Sequence, residues 1–78
     1  MALREVVARN LRRLRRARGM SQERLSLEAG FYRTYVGLLE REKHSPTVDA
    51  LDELANVLGV NPMSFFVRDP DRTAVPEP

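Results

Sequence analysis

Arg33 and Thr34 stand side by side and carry the side chains best suited to recognition chemistry in this chain. The guanidinium of Arg33 can donate two hydrogen bonds to a planar acceptor pair such as O6 and N7 of guanine, and Thr34 offers a hydroxyl and a methyl that fits thymine. Leu38, one helical turn later, could touch a thymine methyl. Catalysis finds no comparable grouping. The chain has no cysteine, and His44, its only histidine, lies in the polar run Lys43, His44, Ser45. A lone loop histidine is more often solvated than a ligand or catalyst. No nucleophile–base pair, metal-ligand cluster or phosphate-binding loop is spelled out, so no enzyme and no cofactor are expected.

The stretch that positions these residues is SQERLSLEAGFYRTYVGLLER, residues 21–41. It reads as two short helices joined by a tight turn. Ser21 is a good N-cap, since its hydroxyl can accept from the free amides of the first turn, and Glu23 places a negative charge where the helix dipole favours one. Gly30 ends the first helix because only glycine takes the left-handed conformation cheaply. A second periodic segment begins near Arg33. Leu25, Ala29, Val36 and Leu39 can share one apolar seam. Arg33, Thr34, Gly37, Leu38 and Arg41 then face outward. A helix pair with a glycine turn and a polar outer face on its second member is the helix-turn-helix arrangement of DNA-binding proteins.

The segments SQERL, AG and YVGLLE, with Pro46 and LDELANVLGV after them, resemble the phage-repressor-like helix-turn-helix family of bacterial regulators. GFYRTYVGLLER is similar to small members such as the restriction-modification controller proteins. The likeness covers residues 4–66, and its motifs are specific in combination although weak singly. It implies an all-α chain: a compact five-helix, lambda-repressor-like DNA-binding domain over residues 1–68, followed by a disordered tail over 69–78. It places base contacts at Arg33 and Thr34, matches Gln22 to the family's phosphate-clamping glutamine, and puts Lys43 and Ser45 where the family touches the DNA backbone. In this family an arginine seven residues before that glutamine pairs with the glutamate ending the recognition helix. The matching residues here are Arg15 and Glu40. Three positions depart from the pattern. Tyr32 replaces the usual serine or threonine cap, which leaves Thr34 as the alternative start of the helix. Ser26 stands where alanine is commoner. Glu42 replaces a glycine, so the exit from this helix is expected to differ.

Seventy-eight residues allow one domain. A chain this short buries only about 60% of its unfolded surface, so a partner subunit would help its stability. The net charge of +2 conceals an asymmetry. Residues 1–20 carry seven arginines against Glu5, a balance of +6; residues 21–46 balance four bases with four acids; residues 47–78 carry −4. One end can face a polyanion while the other avoids it. No apolar run approaches the ~18 residues of a membrane span and no signal peptide is present, so a cytoplasmic, nucleoid-associated protein without membrane contact is expected.

A first helix is predicted from about Ala2 to Arg18, with Leu3, Val7, Leu11 and Leu14 on its core stripe. Arg9, Arg12, Arg13 and Arg16 lie opposite, and Arg12, Arg13 and Arg16 are read as a diffuse basic field. Leu27 is expected outside the seam, and Phe31 beneath the turn as a plug for the core. Tyr35 either reaches a phosphate or is partly buried, and Arg41 is a further phosphate candidate. Gly37 either lets the helix sit deep or packs against its neighbour. Thr47 should cap a fourth helix with Val48, Leu51, Leu54, Ala55 and Leu58 inward and Gly59 at its end. Asn61–Pro62 should start a short fifth helix, with Val60 and Phe65 spaced as a staple.

One such motif is small for a long DNA site, and regulators of this kind usually dimerise on a palindrome. Val57, Val60, Met63, Phe65 and Phe66 exceed the needs of one small core and are the expected homodimer surface. The other use of the phenylalanines is as a lid on the monomer's own core. The expected partners are double-stranded DNA and a second copy, with RNA polymerase as a further candidate. A prophage repressor, and an antitoxin whose toxin partner binds the tail, are alternatives to a controller. A basic helix lying on an anionic membrane is a reading of another class, weakened by the lack of aromatic anchors.

Overall fold

Helix α1 (Leu3–Ala17) turns its apolar side inward: Val6, Val7, Ala8 and Leu11 are buried, and Leu14 lies against the core. Leu3 does not join them. It is 49% exposed, because it sits at the open end of the helix before the packed neighbours begin. The computed structural model describes residues 2–68, so the tail expected over residues 69–78 lies outside the described residues. Helices α2 (Gln22–Glu28), α3 (Tyr35–Glu40) and α4 (Val48–Leu58) follow. The last element is a 3-10 helix, Pro62–Phe66.

Four α-helices and no strand are therefore present among the described residues, and the expected fifth helix is this 3-10 turn. Its local signals are as expected: the Asn61 side chain accepts from the Met63 amide at 2.9 Å, and Pro62 stands at the first helical position. The amide of Ser64 donates to the Asn61 carbonyl, an i to i+3 bond. Five residues with that bonding give one tight turn and no α-helical propagation.

The side-chain caps anticipated at the other starts are formed. Ser21 accepts from the Arg24 amide at 2.9 Å and Thr47 from the Ala50 amide at 3.0 Å. Val48 is 83% exposed and does not enter the core stripe expected of it. It is the first residue of α4, and the inward side begins with Ala50 and Leu51. Helix α3 starts at Tyr35, later than the periodicity near Arg33 suggests. Thr34 occupies its cap position without a side-chain hydrogen bond.

The interior is filled by Leu11, Leu25, Val36, Leu39, Leu54, Leu58 and Phe65, all with little or no exposed surface. Phe65 has 0% exposure. This corrects its assignment to a dimer surface: its ring fills the monomer's own core, because the 3-10 turn folds it back onto α1. Phe66 is half-buried, and Phe31 lies at the core's margin as a partly buried ring. Asn10, 2% exposed and not singled out in the sequence, ties the last element down. Its Nδ2 donates to the carbonyls of Phe65 at 2.9 Å and Val67 at 2.7 Å. Its place within the apolar arc, three residues after Val7 and four after Val6, is the signal that could have marked it.

The end of α3 keeps the left-handed exit despite Glu42, which takes φ 62°. The Lys43 amide donates to the Leu38 carbonyl at 2.8 Å and the Glu42 amide to the Leu39 carbonyl at 3.1 Å, the paired bonds of a Schellman end. The expected change of exit does not occur. A β-carbon in that conformation costs roughly 1–2 kcal/mol, and the two bonds together with the buried Leu39 and Glu40 before them hold the geometry. Glu42→Gly should therefore raise the unfolding free energy by about 1 kcal/mol in urea melts.

Candidate nucleic-acid interface

Glu40, the last residue of α3, has no exposed side-chain surface and collects donors from three side chains on two other helices. From α1, Arg15 donates through Nε to Glu40 Oε2 at 2.7 Å and through Nη2 to Oε1 at 3.1 Å. Its third group, Nη1, reaches the Met20 carbonyl at 2.8 Å. From α2, Gln22 Nε2 donates to Glu40 Oε1 at 2.9 Å. Arg12 adds a longer bond to Oε1 at 3.4 Å and one to the Glu40 carbonyl at 3.2 Å. Arg12 thus has a specific partner, which corrects its reading as a diffuse surface charge. Its spacing three residues before Arg15, on the same side of α1, explains how both reach one carboxylate.

Burial alone would raise the Glu40 carboxyl. The hydrogen bonds from Arg15 and Gln22, the charge of Arg15 and the bond from Arg12 outweigh it and hold the group below the ordinary carboxylate range. The carboxylate is thereby kept ionised inside the fold.

A second lock joins the two motif helices directly. The hydroxyl of Ser26, fully buried, donates to the Gln22 carbonyl at 2.8 Å and accepts from the Val36 amide at 2.9 Å. Alanine there would fill the space without bonding that amide. Serine supplies from α2 the acceptor that Thr34 does not supply locally. The Phe31 and Tyr35 rings stack with centroids 4.3 Å apart, and Tyr32 meets Tyr35 edge-on at 5.5 Å. Burial, and then the neighbouring Tyr32, push the Tyr35 phenol above its ordinary value, so it stays a hydrogen-bond donor.

These locks leave a polar face on the outside. Arg33, Thr34, Gly37 and Arg41 line one cleft of about 230 Å³ with Gln22 and Glu23. Arg33, Thr34 and Arg41 are exposed, and Leu38 is half-buried on α3. Gly37 is buried beneath neighbouring side chains: a β-carbon there would stand 3.1 Å from Gln22 Oε1 and 3.2 Å from Arg41 Nη1. One N–H of the Gln22 amide is engaged by Glu40, which leaves its second N–H and its oxygen. Lys43 and Ser45 are exposed in the loop after α3. Tyr35 is half-buried in the aromatic stack rather than fully on the outer face. Of the residues assigned to subunit contact, Met63 is 63% exposed, and Val57, Val60 and Phe66 are half-buried against the core.

Residues 11–65, most of the chain, match the family model described as helix-turn-helix. This chain belongs to the helix-turn-helix family. It is similar to an uncharacterised helix-turn-helix-type transcriptional regulator of Sinorhizobium fredii, with 44% identity over 61 residues that make up 78% of this chain and 79% of that protein. The fold matches that of a hypothetical transcription factor from Neisseria with a TM-score of 0.85 at 34% identity, covering 91% of this chain and 82% of that one. It also matches the restriction-modification controller protein C.AhdI from Aeromonas hydrophila with a TM-score of 0.77 at 35% identity, over 81% of this chain and 96% of that one. The resemblance to controller proteins read from GFYRTYVGLLER holds. In this helix-turn-helix protein, α2 and α3 are the motif, and the cleft lies on the outer side of the pair.

The Glu40 cluster has a measurable pH signature. Because the carboxyl is held below its unfolded value of about 4.3, its stabilising contribution is complete above that value and disappears as pH falls through the lower folded one. Denaturant melts from neutral into acid should show that loss in the wild type and a smaller one in Glu40→Gln. At neutral pH, Arg15→Ala should cost about 3–5 kcal/mol, as expected when one member of a buried pair is removed; an exposed pair would cost ~0–1 kcal/mol.

Proposed function

We propose that this DNA-binding transcriptional regulator works as a homodimer on a palindromic operator, laying α3 of each copy in successive major grooves. Arg33 reads a guanine edge, Thr34 contacts an adjacent base, and Leu38 touches a thymine methyl. Gln22, Lys43, Ser45, Tyr35 and Arg41 contact backbone phosphates and set the register. The observation that carries this reading is the shared cleft: Arg33, Thr34 and Arg41 stand exposed beside Gln22, Glu23 is the one acid among the lining residues, and Glu40 at the end of α3 is sealed underneath by two arginines. With two guanidinium groups against one carboxylate, the lining of this cleft favours a polyanion.

Among the described residues, no helix is long and apolar enough to cross a membrane, and no group of acidic or histidine side chains could hold a metal ion. The site we propose is a recognition surface in a cytoplasmic protein, with RNA polymerase as the machinery that its occupancy of a promoter would recruit or block.

Binding to a site selected from random DNA, to its single-base variants and to random duplex, across a salt series, separates reading from holding. Arg33→Ala should lose ~1–3 kcal/mol on the selected site and relax the preference at one base pair per half-site. Lys43→Ala should weaken all sequences alike and lower the salt slope by about one per affected site. If Arg33→Ala scales every sequence equally while Lys43→Ala alters base preference, α3 is not the reading element.

The subunit surface is tested at Met63, the residue of that group whose exposure makes a charge tolerable to the monomer. Wild-type protein should sediment as a dimer at micromolar concentration, and Met63→Asp as a monomer with its helical spectrum retained. A wild type that stays monomeric both free and on DNA would refute this interface.

A further inference from the structure

Arg4, in the first turn of α1, and Ser45, in the loop between α3 and α4, are 41 positions apart in the chain and joined by a hydrogen bond: Arg4 Nε donates to Ser45 Oγ at 2.8 Å. Both residues are exposed, and both line one surface groove with Pro46 and Val48. We propose that Arg4 and Ser45 form a two-residue clamp for a DNA backbone phosphate, at the flank of the surface assigned to α3. The inference rests on the reading that the loop after α3 lies along the DNA backbone, and it adds a residue from outside the motif.

The chemistry follows from what the contact leaves unused. A serine hydroxyl has one donor and two acceptor positions, and a guanidinium has five N–H donors. Accepting from Arg4 occupies one lone pair of Ser45 Oγ and leaves its O–H free to donate. Using Nε leaves Arg4 with the four N–H groups of its two terminal nitrogens. An oxygen anion beside the pair can therefore receive a hydroxyl bond and a charge-assisted guanidinium bond together. The existing bond also orients the fork before any ligand arrives, which lowers the ordering cost that an isolated surface arginine would meet on binding. Lys43, two residues before Ser45 in the same exposed loop, adds a further cation; the nearest acids in the chain are the exposed Glu42, three residues before Ser45, and Glu5, whose Oε1 accepts from the Ala2 amide at 3.2 Å.

Three variants of the intact chain test this by fluorescence anisotropy on a selected duplex and on random duplex across a salt series. Arg4→Ala should weaken both duplexes by a similar factor, about tenfold, the scale of one charge-assisted hydrogen bond. It should also lower the salt slope by ~0.9 for each clamped phosphate. Ser45→Ala should weaken binding with the slope unchanged, and should add little once Arg4 is gone, as expected of coupled neighbours. Arg9→Ala removes the same charge from another side of α1 and controls for a general loss of positive field. A slope change in Arg9→Ala equal to that of Arg4→Ala, or fully additive effects of Arg4→Ala and Ser45→Ala, would overturn the clamp. Thermal melts accompany each variant, and Arg4→Lys, which retains charge without the Nε donor, should keep the slope while losing part of the affinity. A failure of Arg33→Ala to change base preference would count against the reading of α3 and leave the phosphate result standing by itself.

Discussion

A fully buried carboxylate sits where α1, α2 and α3 meet, and the position of α3 and its outer polar face depends on it. Glu40 would be costly to ionise in that place alone. Arg15 supplies a two-point ion pair, Gln22 a further donor and Arg12 a weaker third, so the charge is matched and its lone pairs are engaged. The arrangement ties the end of α3 to two other helices with directional bonds, which apolar contacts cannot supply. Leu39 and Val36 fill space under α3; Glu40 fixes its last turn against α1 and α2.

The same carboxylate links stability to the polar face through Gln22. One N–H of its amide is committed inward, so the remaining donor and the oxygen are presented in a fixed orientation beside Gly37 and Arg41. Ser26 acts at the other end of the motif, where its hydroxyl receives the Val36 amide. A six-residue helix has little stability of its own. Here it is anchored near its start by Ser26 and at its end by Glu40, while Arg33 and Thr34 precede it in the turn.

The C-terminal part of the described chain shows how a small domain divides its apolar residues. Phe65 goes inward and is held by the Asn10 bonds to the backbone on either side of Phe66. Met63 goes outward. Two apolar residues only two positions apart in a 3-10 turn point to different sides, so an apolar cluster in sequence cannot be treated as one surface.

What the sequence determined by itself was local or periodic. Ser21, Thr47 and Asn61 cap the turns that follow them because each acceptor and its amide lie within three residues. Leu25, Val36, Leu39, Leu54 and Leu58 were legible as core from helical spacing. The pairing of Arg15 with Glu40 was legible only through resemblance to a known family, since no local rule joins residues 25 apart. The tertiary structure decided the rest. It exposed Leu3 and Val48 at helix ends that periodicity alone cannot recognise as ends, and it placed Asn10 under a backbone 55 residues away. It brought Arg12 onto Glu40 and Arg4 onto Ser45. Hydrogen bonds of that range depend on how helices are packed in space, and an arginine on a basic helix reads the same in sequence whether its partner is a carboxylate, a hydroxyl or water.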